Sequence, residues 1–192
     1  MVYNLAYLAT PTFGGWVTMT AHLSLKYNYP LFKIPKSNRS EKNKRNFGYG
    51  VEYQNISIDD HIQKGNILIV ALDKHFYQYL DLFPDDTTIV MHDPNDFKSD
   101  IVQKFLKRVN VITIREAVKQ NLLNNYGIDS EFKFHPFHQY DKNTYGNNVS
   151  DKCISINRID FDKNTHDILR ANPLIKDDSN KIWIYGKGYS DR

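Results

Sequence analysis

The sequence predicts an α/β protein: a mostly parallel sheet with helices on both faces, followed by the start of a second layer of the same kind. Three observations predict it. Short β-rich runs alternate with helix-length amphipathic segments through the first 138 residues, the pattern that arises when helices cover a parallel sheet. A polar break, "HQYDKNTYGNNVSDK", then interrupts the array, and a new strand-helix-strand pattern begins at "CISINRIDF".

The elements follow in order. "YNLAYLA" reads as the first strand, "TPTFGGW" as the loop after it, and Val17 to Tyr27 as the first helix. "NILIVAL" (66–72), "TTIVMH" (87–92), "NVITI" (110–114) and "EFKFHPF" (131–137) are further strands, separated by helices predicted over 74–82, 99–108 and 115–125. Gly127 stands where the last of these should stop, since glycine accepts the left-handed conformation that closes a helix. Beyond the break, a helix at 163–171 and the strand "KIWIYG" complete a β-α-β unit. The expected organisation is a Rossmann-like domain over 1–138, a linker over 139–151, and an incomplete second Rossmann-like domain over 152–192. A lone β-α-β start cannot bury both faces of its sheet, so a C-terminal continuation or a partner chain is expected to complete it.

Composition narrows the class. With 192 residues, 41% hydrophobic and 24% charged, the chain has a globular balance. Its single cysteine, Cys153, has no internal partner, which points to a reducing cytoplasm. No run approaches the roughly 20 apolar residues a membrane span requires, and no signal peptide opens the chain. A net charge of +3 is too small to demand a nucleic-acid partner by itself, so the location of the charge matters more than its sum.

Four places carry candidate chemistry. Gly14 and Gly15 lie between the first strand and helix, where free N–H groups and the helix dipole favour an anion; a plain tight turn explains them as well. The segment from Lys33 to Arg45 carries Lys33, Lys36, Arg39, Lys42, Lys44 and Arg45 against one acid, Glu41. It suits either phosphate contacts or a solvated loop. His92 and Asp93 end a strand at the edge where open α/β sheets bind ligands. There a carboxylate can take a proton or steady a developing cation, and an imidazole can orient a substrate oxygen; an Asp-Pro turn is the alternative. Arg158 and Lys163 follow the first strand of the second domain, placed either to hold a diphosphate at a helix start or to pair with Asp160 and Asp162. No ligand set for a metal is evident: His135 and His138 are three apart but lack a neighbouring carboxylate or cysteine and read as packing residues, while His22 on the first helix reads as a packed or surface residue.

Taken in order, "FGGWVTMTAHLSL", "IVMHDPNDF", "VNVITIREAVKQNLLNNYGI" and "SINRIDFDKNTHDIL" resemble two-domain GT-B glycosyltransferases, most closely the DNA α-glucosyltransferases of T-even phages. The resemblance implies an enzyme that moves a hexosyl or pentosyl group from a nucleoside-diphosphate sugar to a hydroxyl, with hydroxymethylated pyrimidine in double-stranded viral DNA as the favoured acceptor. His92 and Asp93 would be catalytic, while Gly14, Gly15, Arg158 and Lys163 would hold the diphosphate, replacing a metal. Lys36, Arg39, Lys42, Lys44 and Arg45 would grip DNA. No cofactor beyond the nucleotide-sugar co-substrate is expected. Two other functions fit the same residues: transfer to a glycan or protein acceptor, and a noncatalytic module that binds DNA or a partner.

Overall fold

The computed structural model describes residues 2–9, 14–35, 50–92, 97–136, 154–156 and 165–185, and the chain divides into two compact units, Met1–Gln139 and Tyr140–Arg192. The first unit is built on a seven-stranded sheet of order β3-β2-β1-β4-β5-β6-β7, every pairing parallel. Its strands are β1 (Asn4–Leu8), β2 (Leu31–Lys33), β3 (Gln54–Asn55), β4 (Ile67–Leu72), β5 (Thr88–Met91), β6 (Asn110–Thr113) and β7 (Glu131–Phe132). The helices are α1 (Gly15–Tyr27), α2 (Ile58–Gln63), α3 (Asp100–Leu106) and α4 (Glu116–Tyr126). The strand order runs outward from β1 in one direction and then from β4 in the other, which is the Rossmann-like arrangement, with its switch point between β1 and β4.

The all-apolar run "ILIVAL" is buried at every position, as a central strand covered on both faces must be. Side chains of alternate parity feed two cores. Ala6, Leu8, Ile67, Ile69, Ile89, Met91 and Val111 pack with Phe76, Leu80, Phe83, Val102, Phe105, Val118 and Leu122. On the other face, Leu5, Tyr7, Leu68, Val70 and Val90 pack under Val17, Met19, Ala21 and Leu23 of α1. One departure from alternation matters below: Ala6 pairs with Ile69 but Tyr7 with Ala71, so Val70 is an extra residue in β4, a β-bulge.

Helix ends follow local chemistry. α1 begins after Gly14 at φ 96° and ψ −170°, a conformation that only glycine adopts without strain. It ends at Asn28 in the left-handed region, and α4 ends at Gly127 in the same region, as expected. Ser57 caps α2, its Oγ accepting from the Asp60 amide at 3.1 Å. The predicted helix over 74–82 is instead a run of 3-10 turns, Lys74–Leu82. Aromatic residues at 76, 77 and 79 favour an α-helix only weakly, and the tighter turns still bury Phe76 and Leu80. The short elements β2, β3 and α2 are additions to the predicted set.

In the second unit, β8 (Ile154–Ile156) pairs in parallel with β9 (Trp183–Tyr185), with α5 (Thr165–Ala171) between them in sequence. The Asn172 side chain clamps the entry to β9, donating to the Ile182 carbonyl and accepting from its amide, both at 2.9 Å. This β-α-β unit leaves Leu169, Leu174 and Trp183 exposed.

Two polar groups in the first unit, one half-buried and one wholly buried, have measurable consequences. Arg108 donates to the Phe83 carbonyl and to Asp85 Oδ1, each at 2.6 Å, and to the Leu80 carbonyl at 2.7 Å, while its guanidinium lies 5.1 Å from the Phe105 ring centroid. It thus satisfies the carbonyls where the 3-10 run ends. Arg108→Met should lower unfolding free energy by about 2–4 kcal/mol, because hydrogen bonds to a charged donor are worth about 1.5–3 kcal/mol each. Asp85→Asn, at an exposed carboxylate, should cost under about 1 kcal/mol; urea denaturation of both variants measures the contrast.

His61 of α2 is wholly buried against Phe32, ring centroids 5.4 Å apart. Neither ring nitrogen meets a hydrogen-bond partner, although the nearby Leu5 backbone slightly favours the charged form. Burial, and secondarily the Lys64 charge, push its pKa down to about 4 from 6.5. The unfolded chain therefore binds a proton that the fold excludes, so stability is full above pH 6.5 and declines as pH falls toward 4, by about 1.4 kcal/mol per unit from this group. The fall of urea midpoints between pH 6.5 and 4 should become shallower by about half in His61→Leu, the remainder coming from His92, whose pKa is lowered alike; an unchanged acid slope would show that His61 is not a source.

Candidate functional site at the carboxyl edge of the sheet

With all strands of the first unit's sheet parallel, every loop that follows a strand emerges at one edge, and His92, Gly14 and Gly15 lie there. His92 directly follows β5. β4 and β5 pair through Leu68/Thr88 and Ile69/Ile89. Just beyond, the carbonyl of the bulged Val70 meets His92 Nε2 at 3.0 Å. A carbonyl can only accept, so Nε2 carries the proton and Nδ1 points elsewhere with a lone pair when the ring is neutral. Neutrality is strongly favoured: burial is the largest influence and lowers the pKa to about 4. The Val70 bond opposes this, and His135 and Arg115 add to the lowering. His92 is thus a fixed hydrogen-bond acceptor at neutral pH.

Gly14 and Gly15 stand on the same edge, two strand spacings from β5 or about 10 Å across the sheet. Both are exposed, and an added Cβ would meet no atom within 4 Å at either. No side chain caps α1, and its first amides lie at the positive end of the helix dipole. The glycines therefore differ in kind: Gly14 is required by its positive φ, whereas Gly15 only leaves space.

The register of the outer strands brings in Arg115, which sequence reasoning did not count as a site residue, and His135, which it assigned to packing. Met91 is level with Thr113, and Thr113 with Phe132. Continuing these rows sets His92 beside Ile114 and Lys133, with Arg115 one residue farther along and His135 two. His135, half-buried, packs edge-on against His22 of α1 with ring centroids 5.8 Å apart. His22 itself is buried. The contact agrees with the packing readings of His22 and His135, and His135 in addition acts electrostatically on His92. The only signal for His135 in the sequence was its distance past a strand end, which is invisible until the strands are in register.

Lys33 corrects another expectation. Counted with the basic segment in the sequence, it is buried in β2 level with Tyr7, its ammonium 6.0 Å from the Tyr53 ring centroid. It serves the strand rather than a solvated loop. Tyr7 is held as the neutral phenol, chiefly by burial and then by the Asp73 charge.

Asp93, Arg158, Lys163, Lys36, Arg39, Lys42, Lys44 and Arg45 lie outside the described residues, as do His138 and Cys153. Among the described residues, no group of three or more His, Cys, Asp or Glu side chains could hold a metal ion, and no helix is long and apolar enough to cross a membrane. A polar cavity of about 330 Å³ in the first unit is lined by Thr88, Asn110, Ser130 and Glu131. It sits at the amino ends of β5 to β7, away from His92, and plays no part in the site. No protein-family model, curated protein or solved structure matches the chain.

Proposed function

We propose that the chain is a glycosyltransferase that moves a sugar from a nucleoside-diphosphate donor to a hydroxyl, with hydroxymethylated pyrimidine in viral DNA as the acceptor. The observation that carries the reading is the neutral His92 ring, locked through Nε2 onto the Val70 carbonyl at the carboxyl edge of a Rossmann-like sheet. Asp93 is the next residue in the chain. The uncapped start of α1 beside Gly14 and Gly15 adds an anion-favouring end on that edge.

In this reaction the acceptor oxygen forms a bond to the anomeric carbon as the bond from that carbon to the diphosphate breaks. The bonding pair leaves with the diphosphate. Asp93 steadies the positive charge that builds on the sugar or takes the proton that the hydroxyl releases. His92, with its lone pair at Nδ1, orients a substrate hydroxyl. Resemblance to GT-B enzymes assigns Arg158 and Lys163 to the departing diphosphate. It likewise leaves Lys36, Arg39, Lys42, Lys44 and Arg45 to the DNA phosphates.

The test uses the full chain with nucleoside-diphosphate glucose and a duplex containing 5-hydroxymethylcytosine. Labelled sugar should appear in the duplex, and Asp93→Asn should lower the rate by about 10²–10⁴-fold, the range for loss of one acid-base group. Duplex affinity should fall with salt at a log-log slope near −4.5 if all five cations contact phosphates, and flatten when they are neutralised. Donor turnover without transfer to the duplex would redirect the acceptor to a glycan or protein. Absence of any turnover across nucleotide sugars, or an Asp93→Asn variant as fast as wild type, would overturn the catalytic reading.

A further inference from the structure

Three elements that are far apart in sequence carry imidazoles related by one ring contact and by the strand register. His92 ends β5, His135 follows β7, and His22 projects from α1. The rows through Met91, Thr113 and Phe132 set the ends of β5, β6 and β7 side by side, at about 4.8 Å per strand spacing. Arg115, at the N-terminal cap of α4, stands between the first two histidines in strand order. The His22–His135 contact then ties this outer group to the helix that covers the other half of the sheet.

The groups facing His92 can be named from each direction. Val70 of β4 occupies Nε2. Arg115 beside β6 and His135 beyond β7 both act on the ring electrostatically, and His22 backs His135 from α1. This environment sets the ligand chemistry. The phosphodiester groups of DNA and the diphosphate of a nucleotide sugar have no proton to offer at neutral pH and so cannot satisfy a lone pair on Nδ1, whereas a hydroxyl donates to it and can accept from a guanidinium at the same time.

We propose that His22, His92, His135 and Arg115 form one subsite for a substrate hydroxyl, in which His135, braced by His22, is a positioning residue for the hydroxyl held at His92. The assignment deepens the glycosyl-transfer reading and rests on it for the identity of the hydroxyl, which belongs either to the acceptor or to the donor sugar. Arg115 supplies the donor that complements the lone pair of His92. Substrate thus binds across the ends of β5 and β6, with His135 over it from β7.

The experiment follows the histidine ring resonances of the full chain by NMR during three titrations. The probes are a short duplex with one 5-hydroxymethylcytosine, the same duplex with cytosine, and nucleoside-diphosphate glucose. The proposal expects the His22, His92 and His135 rings to respond together, with one dissociation constant, to the hydroxymethylated duplex or to the nucleotide sugar. Whichever probe moves them identifies the source of the hydroxyl. The cytosine duplex should move them at least tenfold less. His135→Phe, which keeps a ring packed against His22 but removes the polar atoms, should weaken the effective probe about tenfold, as should His135→Gln, whereas a purely packing role would let the Phe variant bind like wild type. If those variants fail to fold, Arg115→Gln serves the same purpose. Rings that stay still, move independently, or respond equally to both duplexes would overturn the subsite. Because the titrations require no turnover, their outcome is separate from that of the transfer assay: active transfer with silent rings removes the subsite and leaves the transferase reading intact.

Discussion

One extra residue in one strand organises the candidate site. In β4 the chain gains Val70 relative to its partner β1, and both Val70 and Ala71 then face the core beneath α1. A bulge of this kind turns a carbonyl out of the regular ladder. Here that carbonyl accepts from His92 Nε2, so an irregularity in a central, fully buried strand fixes the rotation of a side chain on its neighbour. The same contact fixes the tautomer, and burial removes the charge. Little of this depends on the loops, because the parts belong to the rigid middle of the sheet.

The parallel arrangement supplies the rest. Seven strands running the same way place every following loop at one edge, whatever the loops contain. The residues after β1, β5, β6 and β7 therefore share that edge although they are spread from Gly14 to His135. Two cores of opposite parity hold the sheet between α1 on one face and the remaining helices on the other. Arg108 ties the end of the 3-10 run to α3 by binding the carbonyls of Leu80 and Phe83.

Much of the fold was legible in the sequence where burial is simple. "NILIVAL", "TTIVMH" and "NVITI" announce interior parallel strands by apolar content, and Gly127 announces a helix end. The strands β2 and β3 were not legible, because three and two residues carry no readable period and they gain their partners only from the sheet. Val70 could not be singled out inside an unbroken apolar run, since a bulge is a property of pairing. For the site, His92 and the glycines stood out through their places at element ends. His22, His135 and Arg115 did not, because their proximity is set by strand register. Lys33 misled for a related reason: charge alone linked it to the basic segment, while its position opposite Tyr7 in the sheet determines its burial.

The central claim is that His92 stands as a neutral, Nε2-protonated ring bonded to Val70. Nitrogen-15 shifts of the labelled histidine rings, followed from pH 8 to pH 4, measure this directly. The account predicts a protonated Nε2 and an unprotonated Nδ1 for His92 throughout neutral pH, with charging only as the pH nears 4. An Nδ1-protonated ring, or titration close to pH 6.5, would contradict it.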